Sequence, residues 1–158
     1  MVIRWATEGD LPAWYALATQ VSALFQHPAD MGADPVFMTY AQSKASKHEA
    51  LTAVDGMSGD NMGFIGFSRA NNRVSWFAVA EQYRGKGAGN LLLETALRQL
   101  DTGREITVTT FCDDYPPGAA ARCLYKKYGF SEERPVIHDG PPRSELIRPA
   151  TNDERNDS

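Results

Sequence analysis

The sequence has few of the residues that build disulfide frameworks or metal sites. Its 158 residues include two cysteines and three histidines. Disulfide-rich folds need more cysteines, and metal sites need their ligands at short, characteristic spacings. Cys112 and Cys123, and likewise His27, His48 and His138, show no such spacing. We therefore expect neither a disulfide scaffold nor a bound metal.

Long apolar runs and an excess of positive charge are also missing. No window approaches the ~18 consecutive apolar residues of a membrane helix, and the start MVIRWATEGD lacks a signal-peptide layout. The formal net charge is -4, whereas general nucleic-acid binders are normally basic. We therefore expect a cytoplasmic protein with no nucleic-acid partner and no membrane partner.

The composition that remains is typical of one compact domain. The chain is 42% hydrophobic and 23% charged, and its length suits a single core. It contains no internal repeat and no low-complexity linker. We expect one domain over residues 1–148. The tail 149–158 contains TNDERNDS, without a large apolar residue, and is predicted to be disordered.

Periodicity along the chain predicts strands and helices in alternation. Strands are expected at 2–6, 50–54, 62–68, 73–79, 106–111 and 144–147, with one or two in the last stretch before residue 148. Helices are expected after Asp10 as a capping residue, from Asp34-Pro35 to about Lys47, from about Gly89, and up to Gly129. This order indicates a mixed α/β sheet with helices on its faces.

A glycine-rich loop follows the strand predicted at 73–79. It reads Arg84-Gly85-Lys86-Gly87-Ala88-Gly89 and leads into a helix. Backbone N–H groups at a helix N-terminus, together with the helix dipole, favour an anion such as phosphate. Glycines after a strand also form plain tight turns, and a basic pair is often only solvated surface.

The spacing of the glycines excludes two common classes of phosphate-binding loop and fits a third pattern. A nucleoside-triphosphate loop fails because position 80 is Ala and Gly87 follows Lys86. A dinucleotide fingerprint fails because its third glycine would fall on Asn90. The pattern Arg/Gln-x-x-Gly-x-Gly/Ala does fit, at Arg84, Gly87 and Gly89.

At this loop the chain resembles the GNAT acyl-CoA-dependent N-acetyltransferases, in which the loop holds the coenzyme A pyrophosphate. IRWATEGDLP, GFIGFSR and ARCLYKKYGF are similar to other parts of that family, over roughly residues 2–148. The resemblance implies an α/β (α+β) fold with a mixed, mostly antiparallel sheet of six to seven strands and about four helices. It also implies acetyl transfer from acetyl-CoA to a primary amine by direct attack in a ternary complex, without a metal, and it leaves a homodimer open.

The resemblance assigns cofactor contacts to the strand and the loop. The main chain of Phe77, Ala78 and Val79 would pair with the pantetheine arm, with Val79 beside the thioester carbonyl. The pyrophosphate contacts would come from Arg84, Gly85, Lys86, Gly87, Ala88, Gly89 and Asn90.

The resemblance also points to Tyr125 as the acid that protonates the leaving thiolate. A phenol, with an ordinary pKa of ~10, is protonated at neutral pH. Tyr125 also suits the apolar stripe formed by residues 121, 124, 125 and 128, in which it would only pack. Many family members place an Asn that contacts the pantetheine arm where this chain has Gly118, so one cofactor hydrogen bond is expected to be lost.

The general base is not assigned by the sequence. Asp113 and Glu81 each follow a predicted strand and are the candidates. Acidic residues at strand ends are more often solvated or capping groups, and a water chain to bulk solvent would serve equally well.

The acceptor is expected to be a small amine, in a site shaped by residues 25–49 and by residues after Phe111. Residues 1–65 carry a formal charge of -4 and residues 66–148 carry +2. This polarity favours a cationic acceptor and a polyanionic cofactor. Two alternatives stay open: a non-catalytic acyl-CoA-binding sensor, and acetylation of a protein N-terminus or lysine.

Overall fold

The computed structural model describes residues 1–136 and 140–151. This part of the chain contains seven strands and four α-helices. In chain order they are β1 (Val2–Trp5), α1 (Leu11–Val21), α2 (Pro35–Ser46), β2 (Ala50–Val54), β3 (Asn61–Ser68), β4 (Arg73–Val79), α3 (Ala88–Arg98), β5 (Ile106–Phe111), α4 (Ala119–Lys127), β6 (Glu132–Val136) and β7 (Arg143–Arg148). The strands are ordered β1-β2-β3-β4-β5-β7-β6 in one sheet. The predicted mixed, mostly antiparallel sheet is therefore confirmed.

The chain divides into two compact units. The first comprises Met1–Phe67 and Ser75–Ala96, and the second comprises Ser68–Val74 and Leu97–Ser158. The single domain expected over residues 1–148 stays a prediction. His138 and residues 152–158, which hold most of the predicted disordered tail, lie outside the described residues.

In the first unit, an antiparallel meander forms the sheet. β1 pairs with β2 from Val2↔Val54 to Trp5↔Leu51, and β2 pairs antiparallel with β3. The turn between β2 and β3 is closed by a hydrogen bond from Asp55 N to the Asp60 carbonyl at 2.9 Å. β2 and β3 thus form a hairpin, a connection that the pairs Asp55-Gly56 and Gly59-Asp60 favour.

An aromatic cluster fills the core of the first unit. Trp14 of α1 is fully buried and stacks on Phe64 of β3, with ring centroids 5.0 Å apart and 3° between the planes. Phe37 of α2 and Trp76 of β4 each pack at 5.9 Å from the same indole. Aromatic pairs of this kind stabilise a fold by ~0.5–1.5 kcal/mol beyond their buried area. Two helices and two strands are therefore joined through one side chain.

In the second unit, β5 occupies the centre. The start of β4 pairs parallel with β5 at Arg73↔Thr107 and Val74↔Val108. β7 pairs antiparallel along the whole of β5, and β6 pairs antiparallel with β7. The almost entirely β-branched run ITVTTF explains why this strand is central. β6 lies last in the sheet order, and its residues from Glu132 to Pro135 are exposed.

The start of α1 differs from the expected capping. Asp10 precedes α1, but its backbone is helical and its side chain makes no capping hydrogen bond to α1. The carboxylate accepts hydrogen bonds from Arg4 at 2.8 and 2.9 Å, from Thr7 N at 2.8 Å and from Asn61 at 3.2 Å. Burial would raise the pKa of Asp10, but these hydrogen bonds, led by those from Arg4, lower it to about 2.

We predict that Asp10→Asn lowers the free energy of unfolding by about 2 kcal/mol at neutral pH. The pKa of Asp10 in the folded state lies below the ~3.9 of an unfolded carboxyl. Its stabilisation is therefore present above about pH 4 and is lost as the pH falls toward 2. Urea unfolding of both proteins near neutral pH and in acid measures this difference, which should shrink in acid.

Glu8→Gln is the matched control, because Glu8 is an exposed carboxylate in the same turn. It should leave the stability unchanged at both pH values. A wild-type to Asp10→Asn difference that is equal in acid and at neutral pH would contradict this account.

Candidate functional site

The connection from β4 to α3 carries the glycine loop. A 3-10 turn, Glu81–Tyr83, follows β4, and the loop then runs to the start of α3 at Ala88. Gly85 and Gly87 have φ of +80° and +90°, in the left-handed region that favours glycine. A Cβ atom on either glycine would meet nothing within 4 Å. These glycines are therefore required by conformation, and the space beside their backbone is open.

The N-terminus of α3 can hold an anion. Leu91 N donates to the Gly87 carbonyl at 3.1 Å, which makes Gly87 the first hydrogen-bond acceptor of the helix. In such a helix the first N–H groups, here those of Ala88 and Gly89, have no acceptor within the helix. They coincide with the positive end of the helix dipole. Arg84, exposed like Lys86, adds positive charge to the loop.

Close packing holds the end of β4 next to β3. A Cβ atom on Gly63 of β3 would lie 2.8 Å from the Ala78 carbonyl and 3.2 Å from both Val79 Cα and Leu92 Cδ1 of α3. Ala78 is buried, whereas Phe77 and Val79 are half-buried. The Val79 carbonyl accepts a hydrogen bond from Arg84 Nε at 3.2 Å. Sequence reasoning missed Gly63, because a glycine within an apolar strand leaves no periodic signal.

Three side chains that the sequence did not single out hold the 3-10 turn before the loop. Gln20 of α1 accepts a hydrogen bond from Glu81 N at 2.9 Å. The Tyr83 hydroxyl donates to the Asp60 carboxylate at 2.9 Å. The turn is thus tied both to α1 and to the loop between β2 and β3.

In the second unit, Tyr125 lies in an apolar environment. Its side chain is 4% exposed and its ring meets that of Phe130 edge-on at 5.6 Å. Burial raises the pKa of Tyr125, so the phenol stays protonated well above neutral pH. The two candidate bases are exposed to solvent, unlike Tyr125. Asp113 lies in this unit and Glu81 in the first unit.

A buried arginine that the sequence reasoning missed anchors α4. Arg122 is 6% exposed and donates to the Phe111 carbonyl at 2.9 Å and to Glu133 at 2.9 and 3.1 Å. The hydrogen bonds from Arg122 lower the pKa of the Glu133 carboxyl. Of the apolar stripe predicted on α4, only Tyr125 is buried. Arg122 ties the helix to β5 through the Phe111 carbonyl and to β6 through Glu133, whereas Ala121, Leu124 and Tyr128 are half-buried.

Position 118 requires a glycine because the structure has no space for a side chain there. A Cβ atom built on it would lie 2.5 Å from Cγ and Cδ2 of Phe111, and closer still to the Phe111 Cβ. No side chain fits there without moving Phe111. With Phe111 in this position, the structure leaves no room for an Asn side chain at residue 118.

Apolar side chains within residues 25–49, the segment expected to shape the acceptor site, pack in the core. Met31 and Phe37 are buried, and Met31 Sδ accepts a hydrogen bond from Trp76 Nε1 at 3.4 Å. Met38 and Tyr40 are half-buried, and the Tyr40 hydroxyl is hydrogen-bonded to Ser75 at 2.5 Å.

Within residues 1–136 and 140–151, His, Cys, Asp and Glu side chains form no group of three or more that could hold a metal ion. No helix in this part of the chain combines the length and the apolar character needed to cross a membrane.

Comparisons with known proteins add to this geometry. The family model described as an acetyltransferase (GNAT) domain matches residues 46–132. No curated protein sequence gives a significant match.

Three solved structures illustrate the similarity in fold. Ard1 from Thermoplasma volcanium has a TM-score of 0.71 and 19% identity, over 95% of this chain and 97% of that one. The ribosomal-protein-S18-alanine N-acetyltransferase from Escherichia coli has a TM-score of 0.67 and 20% identity, over 95% and 94%. The NatC complex bound to Gag peptide and CoA has a TM-score of 0.68 and 20% identity, over 95% and 98%.

The family match covers more than half of the chain and includes the glycine loop. The sheet and its four helices agree with that family's fold. The chain therefore belongs to the GNAT acetyltransferase family and is an acyltransferase of the N-acetyltransferase type.

Proposed function

We propose that this protein transfers the acetyl group of acetyl-CoA to a primary amine by direct attack in a ternary complex in the cytoplasm. The observation that carries the proposal is the loop from Arg84 to Gly89, with two left-handed glycines before a helix N-terminus. That geometry suits the pyrophosphate of coenzyme A. The similar NatC structure was solved with CoA bound, which supports the same cofactor here.

The reaction needs a polarised carbonyl, a base for the proton that the neutral amine loses and an acid for the thiolate that leaves. The amine nitrogen attacks the thioester carbon, a C–N bond forms and the C–S bond breaks. In this proposal the main chain of Phe77, Ala78 and Val79 binds the pantetheine arm, with a backbone N–H at Val79 polarising the carbonyl. Tyr125 donates its phenolic proton to the departing thiolate.

The proton lost by the amine goes to a base. Asp113 and Glu81 are the side-chain candidates, and both are exposed. A chain of water molecules to bulk solvent would accept the proton equally well. The proposal needs no metal, because the reaction is an acyl transfer between a thioester and an amine.

The acceptor we propose is a small cationic amine. Its support is the excess of acidic side chains in residues 1–65. A second candidate is the N-terminal amine of a protein. It is favoured by the similar fold of the ribosomal-protein-S18-alanine N-acetyltransferase and by the peptide bound to the NatC complex.

We predict that the wild-type protein binds acetyl-CoA and that Gly87→Glu weakens this binding at least ~10-fold. The substitution places a side chain where φ is +90° and adds negative charge beside the bound phosphates. Isothermal titration with acetyl-CoA measures both dissociation constants.

Gly140→Glu is the matched control. Gly140 also has a positive φ, of +103°, and a Cβ atom there would also meet nothing within 4 Å. The control has the same charge change and the same kind of backbone strain, and should bind acetyl-CoA like the wild type. If the wild-type protein does not bind acetyl-CoA, the proposed function is wrong.

A second prediction concerns Tyr125→Phe, which should lower kcat by about 10- to 100-fold while leaving acetyl-CoA affinity within about twofold. The reason is that only the proton donor is removed from a buried ring. Steady-state thiol release gives kcat, and titration gives the affinity. Tyr128→Phe, at the residue that caps the C-terminus of α4, is the control. Full turnover in Tyr125→Phe would remove this residue from the mechanism and leave it a packing role.

A panel of amines tests the acceptor. We predict faster thiol release with polyamine-like acceptors than with acidic amines, because of the acidic first part of the chain. The panel also contains peptides with a free N-terminus and peptides with only a free lysine. Equal rates with cationic and acidic amines would contradict the prediction, and preference for free N-termini would favour the second acceptor. Tight acetyl-CoA binding without turnover on any amine would instead indicate a sensor.

A further inference from the structure

The 3-10 turn Glu81–Tyr83 determines where the glycine loop begins. It is separated from β4 by Ala80 alone, and Arg84, the first residue of the loop, donates its N–H to the Glu81 carbonyl at 3.2 Å. The backbone of Tyr83 is also closed on Ala80 by a hydrogen bond of 2.9 Å. Whatever holds this turn therefore holds the start of the loop.

One anchor of the turn comes from the loop between β2 and β3. The Tyr83 hydroxyl donates to the Asp60 carboxylate at 2.9 Å. Asp60 is itself fixed, because its carbonyl accepts from Asp55 N at 2.9 Å and its N–H donates to Ser58 Oγ at 3.2 Å. The hydrogen bond to Asp60 raises the pKa of Tyr83, so the phenol stays a donor at neutral pH.

A second anchor comes from α1. Gln20 accepts a hydrogen bond from Glu81 N at 2.9 Å, and its amide nitrogen lies 3.5 Å from the side-chain oxygen of Gln82. Gln20 belongs to the helix that the stacked Trp14 fixes on β3. The turn is thus connected to two elements that do not belong to the loop itself.

Such anchoring matters because glycines lose more conformational freedom on ordering than other residues. A loop that contains Gly85 and Gly87 would pay this entropy when its ligand binds, unless it is ordered beforehand. Fixing the residues on the N-terminal side of the loop reduces that cost. The effect falls on the affinity for the ligand and leaves the chemical step unchanged.

We infer that Tyr83 and Asp60, together with Gln20, are positioning residues that order the glycine loop for the coenzyme A phosphates. This inference rests on the proposed function, because it assumes that the loop binds acetyl-CoA. None of the three side chains needs to touch the cofactor. They act through the turn that they hold.

Substitution of Asp60 allows a test in which two explanations predict opposite changes in the affinity for acetyl-CoA. Its carboxylate is an exposed negative charge in the loop that Tyr83 ties to the turn. If it acted on a polyphosphate by charge alone, its removal would strengthen binding. If it acts by holding Tyr83, its removal weakens binding. Asp60→Asn removes the charge but keeps an oxygen that accepts the Tyr83 hydrogen bond.

The experiment compares Tyr83→Phe, Asp60→Ala, their double variant and Asp60→Asn with the wild-type enzyme. We expect Tyr83→Phe and Asp60→Ala each to raise Kd and KM for acetyl-CoA roughly fivefold, with kcat at saturation unchanged within about twofold. The double variant should be no worse than either single one, because both remove the same hydrogen bond. Asp60→Asn should bind acetyl-CoA at least as well as the wild type. Tyr15→Phe, a half-buried tyrosine of α1, is the control.

Amide hydrogen exchange gives a readout that does not depend on catalysis. In the free protein, the amides of residues 85–89 should exchange faster in Tyr83→Phe than in the wild type. Gln20→Ala breaks the other anchor. It should likewise raise the Kd for acetyl-CoA and speed the exchange of these amides.

The outcomes separate this inference from the function on which it rests. A wild-type protein that binds no acetyl-CoA overturns the proposed function and this inference with it. If the wild-type protein binds acetyl-CoA, two results would overturn only the positioning role. One is an unchanged KM for acetyl-CoA in Tyr83→Phe, and the other is tighter acetyl-CoA binding by Asp60→Ala. Additive effects in the double variant would do the same.

Discussion

The stacking of Trp14 on Phe64 is the contact on which the first unit depends. Trp14 is fully buried, and its ring fixes α1 over β3 while Phe37 and Trp76 pack on its edges. A buried indole in so dense a cluster leaves the helix little freedom to slide or rotate. The position of α1 in turn determines where Gln20 meets the backbone before the glycine loop. An apolar contact in the core thus sets the geometry of a polar site.

The elements with a strong local signal could be predicted from the sequence. β4 and β5 have the expected bounds, because aromatic and β-branched residues fill them. α2 begins as expected after Asp34, which accepts the Val36 N–H at 2.9 Å. Asp10 has the residue type of a cap, but Arg4, from the neighbouring strand, engages its carboxylate instead. A local rule does not include such a competitor.

The candidate site was predictable where conformation requires a particular residue. A left-handed backbone calls for glycine, so the loop at Gly85 and Gly87 is visible in the sequence. The pairs Tyr83–Asp60 and Arg122–Glu133 were not, because each joins residues of different elements and leaves no periodic pattern. Gly118 is a glycine for a different reason, because there is no space for a side chain beside Phe111. Only the folded chain distinguishes that reason from a need for flexibility.

The two outermost strands of the sheet differ in their capacity to recruit another chain. β6 is exposed along Glu132 to Pro135, with three charged side chains followed by a proline. Proline has no N–H to offer a further strand, and charged residues on an edge strand disfavour its pairing with another chain. β1, at the other end of the strand order, consists of Val2–Trp5 and has one charged residue, Arg4. Of the two edges, β1 is therefore the one more open to aggregation by strand addition.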